Sequence, residues 1–80
     1  FKVRFGPEAA RYVKEEELFL KPRMTDLPDG SMLFEVTANS DREFLQWLYQ
    51  YGPEAEILEP AAYRAQMRDR LERWRKLYEG

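Results

Sequence analysis

The first five residues alternate between apolar and cationic side chains. Phe1, Val3 and Phe5 share one side of an extended chain, and the other side carries Lys2 and Arg4. A two-residue period of this kind is typical of a strand that buries one face. The segment is therefore predicted to be the first strand of a sheet.

A short helix is predicted directly after this strand. Pro7 suits the first helical position, where no backbone donor is needed, and the carboxylate of Glu8 suits the positive end of the helix dipole. The helix is expected to extend to about Glu16 and to bury Ala9, Ala10 and Val13. The run of glutamates at its end is interpreted as a solvated helix terminus.

Two further strands are predicted on either side of the turn Pro-Asp-Gly-Ser at 28–31. Asp-Gly adopts the positive φ angles that tight hairpin turns require, so residues 19–27 and 32–38 are expected to form an antiparallel hairpin. Pro22 cannot donate a backbone hydrogen bond, which places the first arm of the hairpin at a sheet edge.

The alternation within the hairpin also predicts which side chains are buried. In the first arm, Leu20 and Met24 are expected to face the interior. In the second arm, the interior face is expected to consist of Met32, Phe34, Val36 and Ala38.

The next segment has the start and stop signals of a helix. Ser40 and Glu43 form a capping box, in which each side chain satisfies a backbone donor of the first turn. Gly52-Pro53 supplies a left-handed residue and a stop. Between these signals, helical spacing places one apolar stripe toward the sheet, formed by Phe44, Trp47, Leu48 and Tyr51.

A short strand and a long helix complete the chain. Residues 55–58 are predicted to be the fourth strand, and Pro60 begins a helix of about 19 residues that ends near Tyr78. The apolar stripe of this helix is Tyr63, Met67, Leu71, Trp74 and Tyr78. Because the stripe is longer than the sheet can cover, part of it is expected to contact another domain or a second subunit. The candidates for oligomerisation are Tyr63, Met67, Trp74 and Tyr78.

The order of these elements predicts the fold class. A strand-helix-strand-strand-helix-strand order, built from two right-handed crossover units, gives an α+β sandwich of the ferredoxin-like type. Its four-stranded antiparallel sheet has the order 4-1-3-2 and carries both inner helices on one face. Residues 1–59 are expected to form this core, and residues 60–79 the C-terminal helix, of a single domain over 1–80.

The composition excludes most catalytic chemistry. The 80 residues include no Cys and no His, so disulfides, zinc sites and imidazole bases are impossible within the chain. The carboxylates at Glu54, Glu56 and Glu59 are interpreted as solvated surface, so no enzyme, cofactor or metal site is expected. No apolar run approaches the roughly 18–20 residues of a membrane span, and a cytoplasmic location is expected.

Charge is distributed unevenly along the chain. Residues 1–60 carry seven basic and twelve acidic side chains, whereas residues 61–80 carry six basic and three acidic ones. The final helix is therefore predicted to be a basic, amphipathic appendage on an acidic core.

Four cations form the candidate ligand site. Strand parity places Lys2, Arg4, Lys21 and Arg23 on the sheet face away from the helices, around Glu35; these four cations are termed the cationic strip. Such a surface attracts anions or nucleic-acid phosphates. The alternative is that the cations cover the open sheet and pair with Glu35, which aids solubility only. No aromatic residue occupies an outward position on the two central strands, where the outward residues are Lys2, Arg4, Leu33, Glu35 and Thr37, which disfavours an autonomous RNA-recognition module.

Several segments together resemble a known family. Residues 44–52 (FLQWLYQYG) and 55–60 (AEILEP), followed by a long helix that ends in KLY at 76–78, resemble the C-terminal extension domain (WCX) of bacterial WYL-domain transcriptional regulators. The segments VRF at 3–5 and PEAA at 7–10 also fit, so the resemblance covers essentially the whole chain. The spaced motif W-L-x-x-x-G followed by A-E-I-L-E-P is its most specific part.

This resemblance implies a regulatory function. Members of the family carry a helix-turn-helix DNA-binding domain, a WYL domain and then this extension, which helps the regulator to form a homodimer and, with WYL, senses an effector. For some members the effector is single-stranded nucleic acid. Because the known ligand contacts lie mainly in WYL, the resemblance assigns no binding residue here, and the cationic strip is predicted from the residues alone.

An alternative hypothesis is an ACT-like small-molecule-sensing regulatory domain. Such domains share the predicted topology and pair their sheets side by side. A Gly-rich ligand loop between the first strand and the first helix would favour this alternative. That turn contains one glycine, Gly6, which favours the transcriptional regulator.

Overall fold

Four strands and three helices make up the described part of the chain, which comprises residues 1–16 and 21–79 of a computed structural model. In chain order the elements are β1 (Lys2–Phe5), α1 (Pro7–Glu15), β2 (Arg23–Asp26), β3 (Met32–Glu35), α2 (Asp41–Tyr49), a 3₁₀ turn (Gly52–Glu54), β4 (Ala55–Glu59) and α3 (Ala61–Glu79). None of these helices combines the length and the apolar character that crossing a bilayer requires.

The strands form an antiparallel sheet in the order β2-β3-β1-β4, which confirms the predicted α+β, ferredoxin-like arrangement. The central strand β1 pairs with β3 on one side and with β4 on the other. Val3 lies opposite Phe34 in the first pair and opposite Ile57 in the second. Because directly paired residues point to the same face, these three side chains form one apolar row across the sheet.

Both inner helices cover that row, as predicted. α1 contributes Ala9, Ala10 and Val13 to the core, and α2 contributes Phe44 and Leu48. The sheet supplies the remaining buried apolar side chains, which are Val3, Phe5, Met32, Phe34, Val36 and Ile57. The core therefore lies between the sheet and the two helices, and the opposite sheet face carries no inner helix.

Local backbone signals position these elements. The backbone N–H of Glu43 donates to the Ser40 hydroxyl at 3.3 Å, which is half of the predicted capping box. Gly30 has a φ of 90° at the hairpin turn, and Gly52 has a φ of 55° after α2. Both are conformations that glycine adopts without steric cost, so each glycine marks a chain reversal that the sequence predicted.

Trp47 joins α2 to the core through its ring and to α1 through its nitrogen. The indole centroid lies 5.7 Å from that of Phe34, 6.0 Å from Phe5 and 5.6 Å from Phe44. Its Nε1 donates to a carboxylate oxygen of Glu16 at 2.9 Å. The predicted orientation of Trp47 toward the sheet is confirmed, and its polar edge remains accessible at the end of α1.

A second side chain of α2 shares the same carboxylate. The Tyr51 hydroxyl donates to the other oxygen of Glu16 at 2.9 Å. Burial, followed by the hydrogen bond and the charge of Glu16, raises the pKa of Tyr51 to about 12. One carboxylate thus fastens the end of α1 to two positions on α2.

The first arm of the hairpin is shorter than predicted. β2 comprises only Arg23–Asp26, whereas the pattern predicted a strand over 19–27, part of which lies outside the described residues. Pro22 and Pro28 flank β2, and neither has a backbone N–H with which to extend the ladder.

Met24 is also less buried than predicted. It pairs with Phe34 and so lies on the inner face, yet it is 42% exposed. The reason is that β2 is an edge of the described sheet, where the helix layer covers less of the surface. Leu20, the other residue that was expected to face inward, lies outside the described residues.

β3 ends at Glu35 rather than at Ala38. Pairing continues for one residue beyond the regular strand, because Phe1 and Val36 exchange backbone hydrogen bonds of 2.7 and 3.0 Å. The predicted inner face is otherwise present, since Met32 and Phe34 are buried, as is Val36.

Replacement of the two tryptophans by alanine is expected to lower the stability in one case and to leave it almost unchanged in the other. Trp47→Ala should lower the free energy of unfolding by about 3 kcal/mol, because the indole packs against three core rings. Trp74→Ala should change it by less than about 0.5 kcal/mol, because Trp74 is 56% exposed on α3. Urea unfolding at low protein concentration measures both values. A loss for Trp47→Ala as small as that expected for Trp74→Ala would show that Trp47 does not belong to the core.

Stability is expected to fall as the pH rises from about 10 to about 12. The pKa of Tyr51 is about 12 in the folded protein against an ordinary value of 10.0, so the folded state holds this proton more tightly. Its contribution is complete below pH 10 and is lost toward pH 12. Urea midpoints across this range should fall less steeply for Tyr51→Phe than for the wild type. Tyr12→Phe, at an exposed position, is the control, and equal slopes for all three proteins would contradict the assignment.

Candidate functional site

The outer face of the sheet, which faces away from α1 and α2, carries charges of alternating sign. The strand register places Arg23 opposite Glu35, Glu35 opposite Lys2 and Lys2 opposite Glu59. A register shift beside Lys2 and Val3 aligns Glu59 with Lys2. Each cation in this row therefore has a carboxylate as its neighbour on the next strand.

A shallow concavity of about 550 Å³ lies at the end of this row. Lys2 and Lys21 line it together with Glu35 and Glu59. The structure thus brings two members of the cationic strip into one depression. Two carboxylates in the same lining reduce the positive potential that the lysines create.

Arg4 is engaged by the hairpin turn. Its Nη2 donates to Asp29 Oδ2 at 2.6 Å, and its Nε donates to the Ser31 hydroxyl at 3.3 Å. The pair is about half exposed, and such pairs contribute at most about 1 kcal/mol. Its main effect is to place a counter-charge beside the guanidinium.

The same turn orders the Asp29 carboxylate. The backbone N–H of Ser31 donates to Asp29 Oδ1 at 3.0 Å, and the Ser31 hydroxyl donates to the same oxygen. These two bonds, followed by that from Arg4, hold the pKa of Asp29 below its usual value of 3.8. The carboxylate is therefore charged at neutral pH and remains paired with Arg4.

More carboxylates lie near the cationic strip than the sequence indicated. Strand parity identified Glu35 as its only counter-charge, whereas the structure pairs Asp29 with Arg4. It also places Glu56 opposite Arg4 and Glu59 opposite Lys2 on β4, although the ion pair of Glu56 is with Arg64. The outward parity of Glu56 on the fourth strand was a usable signal. The contributions of Asp29 and Glu59 depend on the turn geometry and on the register shift, which the hydrophobic pattern does not reveal.

The outer face of β1, β2 and β3, as far as the structure describes it, offers no stacking surface for bases. In β1, β2 and β3, the outward side chains that accompany the charged ones are Thr25 and Leu33. Neither offers the aromatic ring on which single-stranded nucleic acids stack. The described strands therefore agree with the prediction that the outward positions of the central strands carry no aromatic side chain.

A second candidate surface is α3, whose first half packs on the domain. The Tyr63 ring lies 5.3 Å from that of Phe1, and its hydroxyl donates to Asp41 Oδ2 at 2.7 Å. That hydrogen bond is the largest cause of a raised pKa for Tyr63. Met67 also packs against the core, and the guanidinium of Arg70 lies 4.9 Å above the Tyr49 ring. Of the oligomerisation candidates, Tyr63 and Met67 are therefore partly used within the domain.

The last two turns of α3 extend beyond these contacts. Residues 71–79 are termed the α3 overhang. Trp74 is 56% exposed and Tyr78 is 84% exposed, so the other two oligomerisation candidates are on the surface. Leu71 and Leu77 extend the same apolar surface. Leu77 was absent from the predicted stripe, although its position one turn after Trp74 was a sufficient signal.

A comparison with protein families assigns this chain. A family model described as the WCX domain matches residues 1–75. The chain belongs to the WCX domain family. The matched region of this WCX domain extends from β1 to Arg75 and therefore includes the outer sheet face and the first part of the α3 overhang. No curated protein and no solved structure gave a significant match.

Membership confirms the resemblance on which the sequence interpretation depended. WCX is the C-terminal domain of WYL-type transcriptional regulators, a regulatory family in which it accompanies other domains of the same chain. A regulatory WCX domain needs surfaces for its neighbours. The outer sheet face and the α3 overhang are therefore the candidates for that role.

Proposed function

We propose that this WCX domain dimerises a WYL-type bacterial transcriptional regulator and contributes to its sensing of an effector. Residues 1–59 act as its core and residues 60–79 as a helix for contacts, with helix-turn-helix and WYL domains in the same full-length chain. The protein acts in the cytoplasm, on DNA that the helix-turn-helix domain binds, without catalysis of its own.

The observation that carries this proposal is the exposure of the α3 overhang. Four large apolar side chains lie together on its surface, namely Leu71, Trp74, Leu77 and Tyr78. A contiguous apolar patch of this kind is typical of a protein interface. A helical segment as short as the α3 overhang is also only marginally stable without packing, so a partner would stabilise it.

The β1–α1 turn disfavours the ACT-like alternative. The backbone N–H of Gly6 donates to the carbonyl of Glu54 at 2.7 Å, and a Cβ at Gly6 would collide with the Glu54 side chain. The backbone and side chain of Glu54 therefore fill the space next to Gly6. A ligand would find no open backbone donor at Gly6, where such a sensor would bind it.

The wild-type chain is expected to self-associate at high micromolar concentrations, because the overhang leaves apolar surface uncovered. Sedimentation velocity over a concentration series measures the change from monomer to dimer. A sedimentation coefficient that remains that of a monomer at the highest concentration would contradict dimerisation by this domain.

Single-stranded DNA is expected to bind the isolated domain no better than at high micromolar concentration. Four nearby carboxylates oppose the cationic strip, and no ring on the described outer face adds the roughly 1–3 kcal/mol per base that stacking supplies. Binding should weaken steeply with salt, and Arg4→Glu combined with Arg23→Glu should abolish it. Fluorescence anisotropy of a labelled oligonucleotide measures this binding.

The matched control for this measurement reverses two cations on α3, Arg68→Glu with Lys76→Glu. It makes the same change in net charge away from the sheet and should retain the binding. Equal loss in both double variants would assign the effect to net charge. Salt-independent binding would place the contact outside the cationic strip.

A further inference from the structure

The α3 overhang carries its arginines beside its apolar surface and its carboxylates behind it. At about 3.6 residues per turn, Arg73 and Arg75 lie on either side of Trp74. The opposite side of the helix holds the acidic partners of these arginines, which are Asp69, Glu72 and Glu79. The apolar surface of the overhang is therefore bordered by cations.

This border disfavours the pairing of two overhangs with each other. Leu71, Trp74 and Tyr78 follow the alternating spacing of a coiled-coil seam, in which Arg68 and Arg75 take flanking positions. Two such helices side by side would bring the arginines of both copies together, and like charges in these positions suppress association. The overhang is better matched to an apolar surface with an acidic border.

The outer side of α1 has that complementary arrangement. Tyr12 is 60% exposed, and helical spacing places Glu8 one turn before it and Glu15 one turn after it. Both carboxylates are exposed, as is Arg11 between them, so these three side chains leave one net negative charge beside Tyr12. α1 spans nine residues, as does the overhang, so each presents a face about 14 Å long.

Within one copy these two surfaces lie at opposite edges of the fold. α1 is on the β2 side, because Lys14 Nζ lies 2.5 Å from Asp26 Oδ1. α3 is on the β4 side, because Arg64 Nη1 donates to the Ile57 carbonyl at 2.9 Å. Since β2 and β4 are the two edges of the sheet, the overhang can meet an α1 only in another copy.

We propose that the α3 overhang docks on the outer side of α1 in a second copy of this chain. Trp74 packs against Tyr12, and the arginines that border Trp74 face the carboxylates that border Tyr12. A two-fold axis makes the contact reciprocal, so that two identical contacts close the dimer. This inference rests on the proposed dimerisation and specifies the surfaces that produce it.

The test is a charge exchange between the two helices. Glu15→Arg and Arg73→Glu should each raise the Kd of the dimer about tenfold. The combined variant should return the Kd to within about threefold of the wild type, because opposite charges face each other again. Lys76→Glu makes the same charge change on the far side of α3 and should leave the Kd within about threefold. Sedimentation velocity measures each Kd, and circular dichroism confirms that each variant is folded.

A second set of variants tests the apolar centre without a change in charge. Trp74→Ala and Tyr12→Ala should each raise the Kd about tenfold. The contact between α3 and α1 is overturned if both alanine variants dimerise with the Kd of the wild type. It is also overturned if the combined charge variant fails to restore the Kd. Either result leaves the proposed dimerisation in place. A lower Kd for Arg73→Glu alone also overturns the contact between α3 and α1, and it would indicate that two overhangs pair with each other. A monomeric wild type overturns both proposals.

Discussion

The structure depends on the burial of one row of side chains across β3, β1 and β4, formed by Phe34, Val3 and Ile57. Since side chains alternate along a strand, burying Val3 obliges its neighbours Lys2 and Arg4 to point outward. The same constraint acts on the partner strands and directs their carboxylates to that face. A slip of one residue would place cations in the core, so the charge pattern of the outer face is a direct consequence of how the core is packed.

The order of elements and of strands could be predicted from the sequence because both depend on strong periodic patterns and on the glycines that terminate them. The length of β2 and the counter-charges of the cationic strip could not be predicted from the sequence. Asp29 reaches Arg4 only because a hydrogen-bonded turn orients its carboxylate, and Glu59 lies opposite Lys2 only because the register of β1 and β4 shifts. Both depend on three-dimensional geometry that has no periodic signature along the chain.

The outer sheet face and the α3 overhang of this WCX domain differ in where the counter-charges of their cations lie. On the outer sheet face, carboxylates alternate with the cations in the same plane, so the field falls off quickly with distance. On the α3 overhang, the acidic partners lie behind the helix and leave the arginines beside an apolar surface. The overhang therefore combines apolar area with a border of arginines whose carboxylate partners lie on the other side of the helix, which suits it better than the sheet to recognise a protein.

The central place of β1 also affects how the chain is completed during synthesis. β1 is made before both of its partners, because β3 and β4 begin at residues 32 and 55. Until β4 has left the ribosome, one edge of β1 has no partner and the apolar row lacks Ile57. An unpaired edge of this kind invites pairing with other chains. The acidic residues along the nascent segment 1–54 would then keep neighbouring chains apart until the sheet closes.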